Sequence, residues 1–546
     1  MRRIGVILGW LAALALLHLA SIAPLPFAGA DPGRALWHVS PDAVCLLAIA
    51  ALGASIGRGR LFAHLAALTL LAAALYRTAA FYVAALLDRR LDLTFDVMEV
   101  PGVLHLLTHD SRLEPWMVVA GAVLALVLAW LLLAWAFARA ARPARSTHGA
   151  VLLVALLQAI VLGDIARGSL DRRAESWWRP SSVLPLATDV RASASYWFDP
   201  GEFDGAIREQ LREAAERMAA TPTDLGVLHG ADVHLVIVES YGRWALREPT
   251  VHARLRSLWQ QVGPELQAAG FEVCTATCRP SNSGGESWLT HAQLLSAAPI
   301  GHRRQFQLLL QSDIEPLPKR FQAAGYHTVE VMPAMPRHWP EGQRFYGFDA
   351  SITQLELDYT GTVYHWGRMP DQFALHHLLE HVVRPAPGPL FTMYVSVTSH
   401  VPFRLVPPYI DDWRIDADTF RGPPRIEHPL SWSSVPFDPQ LVPAYADTLE
   451  YTLRCTAGFV ARLTRPSLVI VLGDHQPPIA TVGPTRDAGY DVPIHAFANR
   501  PELLAPCRAL GFVDGYEVPE GAEAFPTDRF APAFLELYSQ PSQQPR

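Results

Sequence analysis

Leu468-Val-Ile-Val-Leu-Gly-Asp474-His475 is a run of five apolar residues that ends in glycine, an acid and a histidine. A strand with one wet face alternates apolar and polar side chains. A run that is apolar at every position fits a strand covered on both faces, as in a parallel sheet. Two other stretches read the same way: Asp232-Val-His-Leu-Val-Ile-Val-Glu239 and Leu390-Phe-Thr-Met-Tyr-Val-Ser-Val-Thr-Ser-His400. Helical patterns separate them at Val251–Ala269, Leu317–Ala324, Asp371–Val383 and Tyr445–Leu463. This alternation predicts a doubly wound α/β domain over residues 231–525.

Ligands of open α/β sheets gather at the carboxyl ends of the strands. Glu239, His400, Asp474 and His475 are expected at those ends. Carboxylates and imidazole suit Zn²⁺ or Mn²⁺, with Mg²⁺ also compatible. Taken singly, each residue has a plain explanation as an exposed strand end or a turn. Three equivalent strand ends make a constellation. A nucleophile is expected from Arg279-Pro-Ser-Asn-Ser-Gly-Gly-Glu-Ser287, which begins as turn chemistry and then becomes helical. Ser287 falls at the helix start, where free N–H groups and the helix dipole favour an anion. Beside a metal, such a serine can lose its proton and attack phosphorus. The competing explanation makes Ser287 a simple helix cap. Ser283 is the runner-up nucleophile, with Ser281 behind it.

The whole chain has 546 residues, 50% hydrophobic and only 18% charged, with net charge −7. Its mean hydropathy is +0.15. Soluble chains carry roughly 25% charged residues, so a plain cytosolic enzyme is excluded. High apolar content excludes general disorder, and the acidic balance argues against a nucleic-acid binder. The excess is concentrated in residues 1–167, which read as a transmembrane domain. Ile4–Pro24, Ala43–Gly57, Leu61–Leu87, Pro115–Ala138 and Gly149–Gly163 give about five helices, against a bilayer core of about 30 Å. Arg2 and Arg3, then Arg58 and Arg60, then Arg139, Arg142 and Arg145 fall on alternate loops. The positive-inside rule then places the domain after the helices on the outer side. If Met1–Ala30 is instead a cleaved signal peptide ending in Ala28-Gly29-Ala30, the orientation of that domain is unchanged.

Arg77 interrupts the third apolar run, either as a functional intramembrane charge or as a snorkelling one. Asp88–Glu114 is amphipathic and suits the outer membrane surface. Residues 168–230 read as a linker with an amphipathic helix, and 526–546 as a tail. The five cysteines match no zinc spacing. An oxidising compartment would allow one or two disulfides among them, and buried free thiols are the alternative. Lys319 is the sole lysine among 45 basic residues, a bias that suits a GC-rich bacterial genome.

The ordered motifs Val-Ile-Val-Glu239-Ser-Tyr, Gly347-Phe-Asp349, His365-Trp366-Gly-Arg368 followed by Asp371, Thr398-Ser-His400-Val-Pro-Phe403, Tyr445-Ala-Asp447 and Leu-Gly-Asp474-His475 resemble a known family. It is the membrane-anchored branch of the alkaline phosphatase/sulfatase superfamily: the lipoteichoic acid synthases and the phosphoethanolamine or phosphoglycerol transferases. The resemblance implies Glu239, Ser287, Asp474 and His475 as ligands of one divalent metal. It implies Ser287 as nucleophile, His400 as a histidine of the substrate site, and Trp366 and Arg368 as the patch that holds phosphate. The chain departs from the family in having Ser where Thr, or a modified Cys, is usual. Cys278-Arg-Pro-Ser281 partly resembles the sulfatase signature, but Asn282 replaces its final Arg and paired amino-terminal Asp residues are missing. His495, within Val-Pro-Ile-His, is expected to be structural rather than to line the site.

The implied activity is transfer of a phosphoglycerol or phosphoethanolamine headgroup from a membrane phospholipid to an envelope glycan or lipid, through a covalent phospho-serine. The expected location is a bacterial inner membrane, with several membrane passes and the catalytic domain on the periplasmic or extracellular side. One alternative is a membrane-tethered hydrolase of phosphate or sulfate esters. Another is a non-catalytic protein that binds an envelope glycan.

Overall fold

The structure is a computed structural model that describes residues 2–22, 40–102, 104, 114–142, 181–364, 368–416, 418–435, 438–481, 489–518 and 523–540. The chain forms two compact units, one from Met1–Ala84 with Arg90–Pro200, the other from Ala85–Arg89 with Gly201–Arg546.

The first unit is helical. Gly59–Leu87 and Pro115–Ala140 are long and apolar enough to cross a membrane, and Leu8–Ile22 and Pro41–Ser55 are shorter apolar helices. The expected fifth helix, Gly149–Gly163, lies outside the described residues. Small side chains line the contacts between the described helices. Ala13, Ala50, Ala63, Ala67 and Ala140 are buried beside Leu17, Leu70 and Phe137, and alanine lets helix backbones approach closely. Leu124, Leu128 and Leu132 on Pro115–Ala140 face outward, as expected where lipid is the solvent. Arg77 donates to the Ala20 carbonyl at 3.1 Å and to Ser182 Oγ at 3.2 Å. Its guanidinium therefore joins helix Arg2–Ile22 to the start of helix Val183–Phe198. The Asp42 carboxylate accepts from Ser181 Oγ at 2.5 Å and Ser182 N at 2.7 Å, at the start of helix Val183–Phe198. Within Asp88–Glu114, Phe95 is buried and its ring meets Tyr196 of that helix at 5.2 Å.

The second unit is an α/β domain around a nine-stranded sheet, with a small two-stranded sheet pairing Leu405–Val406 and Ile426–Glu427. The nine strands of the large sheet are β1 (Asp232–Val238), β2 (Glu272–Arg279), β3 (His327–Val331), β4 (Ala350–Ile352), β5 (Leu390–Val395), β6 (Ser467–Gly473), β7 (Val492–Ala498), β8 (Val513–Asp514) and β9 (Phe525–Pro526). The order is β8-β2-β7-β6-β1-β5-β3-β4, with β9 beside β2. The three strands read from sequence, β6, β1 and β5, are central neighbours and run parallel. β7 is antiparallel to both β6 and β2, so the sheet is mixed rather than wholly parallel.

Period-2 geometry divides each central strand between two cores. Val236 and Val238 of β1 pack on one face with helices Pro249–Ala268 and Leu441–Val460. Val233, Leu235 and Ile237 pack on the other with Ser287–Ser296 and Leu317–Ala323.

Two segments read from sequence as linker and tail each contain a helix packed in the second core. The expected linker contains helix Gly201–Ala220, whose Ile207, Leu211, Ala214 and Met218 are buried in the second core. Their spacing of three to four residues makes a narrow apolar stripe on an otherwise polar helix. The expected tail contains helix Phe530–Tyr538, with Phe534, Leu535 and Tyr538 buried in the same core. The α/β unit therefore extends beyond residues 231–525 in both directions. All five cysteines are free thiols, and Cys507 Sγ lies 3.2 Å from Tyr538 OH.

Candidate metal centre and nucleophile

Register sets the site. Val238 of β1 lies opposite Gly473 of β6, so Glu239 and Asp474 leave their strands side by side. Gly473 is required there, since a Cβ would stand 1.8 Å from the Tyr241 carbonyl oxygen. Ile237 lies opposite Val395 of β5, and the chain beyond β5 carries Ser396 to His400 to the same edge. Glu239 N donates to Ser396 Oγ at 2.9 Å, and Ser399 Oγ donates to the Glu239 carbonyl at 2.6 Å. Ser240 turns the chain with φ of 60°, a left-handed value rare for a side-chain-bearing residue. Its N–H donates to Asp474 Oδ1 at 2.8 Å, its hydroxyl donates to Glu239 Oε1 at 2.9 Å, and its carbonyl accepts from Tyr445 OH at 2.6 Å.

Glu239, Asp474 and His475 are buried, with ligand atoms all within 4.8 Å of one another. His475 Nδ1–H donates to the Gln476 carbonyl at 2.8 Å, which turns Nε2 toward the carboxylates. Nε2 lies 3.4 Å from Glu239 Oε1 and 3.7 Å from Asp474 Oδ2. The three groups share protons among themselves. Burial, then the Glu239 charge, pushes the Asp474 carboxyl up to about 7. Burial would lower His475, but the Asp474 and Glu239 carboxylates override it and push the imidazole up to about 9. Burial would raise Glu239, but His475 overrides it and holds the carboxyl well below the usual range.

The superfamily that the motifs resemble implies a divalent metal at such a centre, and these residues fit one. The donor set is two carboxylates and an imidazole, and Asp474 Oδ2 is buried without a hydrogen-bond partner. A buried unpaired carboxylate oxygen is costly, and a cation there would satisfy it.

Ser287 is the first residue of helix Ser287–Ser296, and Glu286 occupies the cap position in a left-handed conformation, φ 52°. Ser287 is therefore not the cap. Its hydroxyl lies 3.1 Å from Glu239 Oε2 and 3.0 Å from His475 Nε2. The preceding loop is tied down at several points. Gln476 N donates to the Ser283 carbonyl at 2.6 Å, Asn282 Nδ2 donates to the Gly285 carbonyl at 2.9 Å, and Ser281 Oγ donates to Gln293 Oε1 at 3.1 Å. Of the three candidate serines the structure brings Ser287 to the cluster. Ser283 Oγ is directed to Asp88 at 3.5 Å instead, and Ser281 to Gln293.

His400 is half-buried, with Nδ1 donating to the Val401 carbonyl at 2.6 Å and its ring 6.1 Å from that of Trp432. It is close enough for its charge to be felt at Glu239. Arg368 has an exposed side chain, and its carbonyl accepts from Tyr364 N at 2.8 Å. Among the described residues, no hydrogen bond or ion pair joins Arg368 to the cluster. Trp366 lies outside the described residues. His495 is fully buried between Tyr241 OH at 3.0 Å and Thr275 Oγ1 at 2.8 Å.

Sequence reasoning missed His291, one helical turn after Ser287. Its Nε2 is buried without a partner, and burial lowers the ring to about 4 despite the nearby Glu239 charge. It also missed Gln476, whose side chain accepts from Trp244 N at 3.0 Å and donates to the Asp491 carbonyl. Spacing of five from Ser287 to His291, counted inclusively, was the available signal for the first.

The sequence matches the sulfatase family over residues 272–502. Apolar helices precede this matched segment. Among solved structures, it is similar to the lipooligosaccharide phosphoethanolamine transferase A of Neisseria meningitidis at 14% identity, covering 96% of this chain and 95% of that one, with a TM-score of 0.46. It is also similar to the lipoteichoic acid synthase LtaP of Listeria monocytogenes at 14% identity, 57% and 73% coverage and TM-score 0.35. A third is the Streptococcus pyogenes phosphoglycerol transferase GacH, solved with sn-glycerol-1-phosphate, at 13% identity, 54% and 74% coverage and TM-score 0.33. No curated protein matches the chain.

Proposed function

We propose that the protein transfers a phosphoglycerol or phosphoethanolamine headgroup from a membrane phospholipid to a glycan or lipid acceptor of the envelope. The observation that carries this reading is the Ser287 hydroxyl, 3.1 Å from Glu239 and 3.0 Å from His475 at the strand ends. Glu239, Asp474 and His475, with Ser287, would hold one divalent metal, Zn²⁺ or Mn²⁺ with Mg²⁺ also compatible. When bound, it would lower the serine's pKa and neutralise charge on phosphate oxygens.

Ser287 Oγ attacks phosphorus and forms a phospho-serine. Its proton has an acceptor in Glu239 Oε2. The bond from phosphorus to the diacylglycerol oxygen breaks, and His400 supplies the proton that this alkoxide takes. An acceptor hydroxyl then attacks phosphorus and passes its proton to His400, the bond from phosphorus to Ser287 Oγ breaks, and the serine oxygen takes back the proton held at Glu239. Trp366 and Arg368 are assigned to the donor's phosphate, Arg through its forked donors. Apolar helices in the same chain suit a donor presented at a membrane surface.

The test uses the full-length protein in detergent with acyl-labelled phosphatidylethanolamine and phosphatidylglycerol, following diacylglycerol release and the mass added to the protein. Ser287→Ala is expected to lose at least about 10³-fold in rate while keeping bound Zn²⁺. Full turnover in that variant would remove the assignment. A labelled peptide at Ser283 would transfer it. Hydrolysis of a soluble aryl phosphate or sulfate, without lipid dependence, would favour the hydrolase instead.

A further inference from the structure

Asp371 follows the Trp366–Arg368 motif in sequence, and the mechanism above leaves it without a role. The residue is fully buried, at the start of helix Asp371–His377. Its Oδ1 accepts from Tyr394 OH at 2.6 Å and from Val397 N at 2.7 Å. Its Oδ2 accepts from Thr398 N at 3.1 Å and from Thr452 Oγ1 at 2.8 Å. Its own N–H donates to Thr398 Oγ1 at 3.3 Å. No basic side chain among the described residues forms an ion pair with it. A buried carboxylate without a counter-charge costs several kcal/mol even when hydrogen-bonded, and an apolar residue of similar volume is often more stable. Stability is therefore a poor account of this anion.

Its partners supply a better one. Two of the four donors are consecutive main-chain N–H groups of the turn that ends in His400, closed by His400 N donating to the Val397 carbonyl at 3.2 Å. The same turn contains Ser399, which holds the Glu239 carbonyl. Tyr394 on β5 and Thr452 on helix Leu441–Val460 are rigid and buried, so they fix the carboxylate from the far side.

Building on the reading of the site above, we propose that Asp371 is a positioning residue that sets His400 through the Val397–His400 turn. It touches no reacting atom. An asparagine keeps the size but replaces one acceptor oxygen with an N–H₂ that faces N–H or O–H donors, so the turn must shift. Displacement of a catalytic group by about 1 Å costs on the order of 10²-fold in rate.

The experiment is a double-mutant cycle on the full-length protein with the labelled phospholipids, reading kcat, KM and the melting midpoint. Asp371→Asn is expected to lower kcat by about 10–100-fold, with KM changed less than about threefold. In the His400→Ala background the same substitution is expected to cost less than about threefold more, because residues that act as one unit are not additive. A merely structural aspartate would lower the midpoint and leave the kcat losses multiplicative. Multiplicative losses, an unchanged kcat in Asp371→Asn, or full activity in His400→Ala would each overturn the proposal. If Asp371→Asn does not fold, Thr398→Val, which removes only the acceptor of Asp371 N–H, decides by the same cycle. Retained turnover in Ser287→Ala would strike the nucleophile reading alone, since the Asp371–His400 cycle does not use that residue.

Discussion

Replacing Asp474 by Asn should make the metal-free protein more stable and the metal-loaded protein less so. Asp474 is fully buried; its Oδ1 accepts from Ser240 N and His475 N, both at 2.8 Å, and its Oδ2 has no hydrogen-bond partner, with His475 Nε2 at 3.7 Å. Burial and the Glu239 charge raise the carboxyl from 3.8 to about 7. A carboxyl whose folded pKa is raised contributes most below its unfolded value, and that contribution is lost as pH rises through the folded value. At pH 8 the ionised Asp474 therefore weighs against the fold by about 4 kcal/mol, at about 1.4 kcal/mol per unit. Its charge also helps hold the His475 proton, so asparagine returns part of this and the net gain is about 2 kcal/mol. For a unit of this size that is roughly 3 °C in melting midpoint.

Asparagine keeps the Oδ1 acceptor and turns an N–H₂ toward Glu239, so the turn survives. With excess Zn²⁺ the order should reverse. Losing a charged ligand should weaken binding by at least about 100-fold, and stabilisation by a ligand scales with the logarithm of its concentration over Kd. The assay is thermal melting of the full chain in detergent at pH 8, in chelator and then in Zn²⁺, for both proteins. A lower midpoint for Asp474→Asn in chelator would refute the reasoning, because the carboxylate would then stabilise the fold without any cation.

Two further outcomes are expected. Leu211→Ala should destabilise the α/β unit by about 2–5 kcal/mol, since Leu211 is 4% exposed in its core; an effect within about 0.5 kcal/mol, measured by denaturant melting, would return residues 201–220 to the status of a linker. The metal-free protein should lose stability between pH 6.5 and 4. Burial lowers His234 and His495 to about 3, so the unfolded chain binds protons that the native one refuses, at about 1.4 kcal/mol per histidine per pH unit. His291, lowered to about 4, acts in the same direction. Asp232, raised to about 6 by burial, and Asp474, raised to about 7, oppose them, and a melting midpoint that rises on acidification to pH 4.5 would show that the two carboxyls outweigh all three histidines.

The central strands were legible because β1, β5 and β6 are apolar on both faces and end in residues that carry chemistry. Their mutual adjacency was not, and neither was the reversed direction of β7. Val492-Pro-Ile-His-Ala-Phe-Ala reads as one more buried strand, and its direction is set by partners more than 200 residues away in sequence for β2. Helix Gly201–Ala220 was recognised as a helix but assigned to a linker, because one apolar position in three or four leaves its average polar. In the site, Glu239, Asp474 and His475 stand out as polar residues that terminate apolar runs. Asp371, Gln476 and His291 lie within mixed sequence, and only the fold shows that they are buried. The apolar helices are legible through length and apolarity alone, which is why Gly59–Leu87 and Pro115–Ala140 stand out and the shorter ones do not.

The position of β7 bears on the order in which this protein becomes itself. β2 delivers the loop that carries Ser287, yet its neighbour in the sheet is β7, made of residues 492–498. β7 in turn leans on β6, residues 467–473, which supplies Asp474 and His475. The strand leading to the nucleophile thus waits for about 200 residues of chain before its edge is covered, and pairings so distant in sequence are slow to close. A chain made from its amino terminus has its apolar helices complete long before this happens. Asp474 and His475 emerge about 190 residues after Ser287, so the proposed site is assembled only after the apolar helices exist.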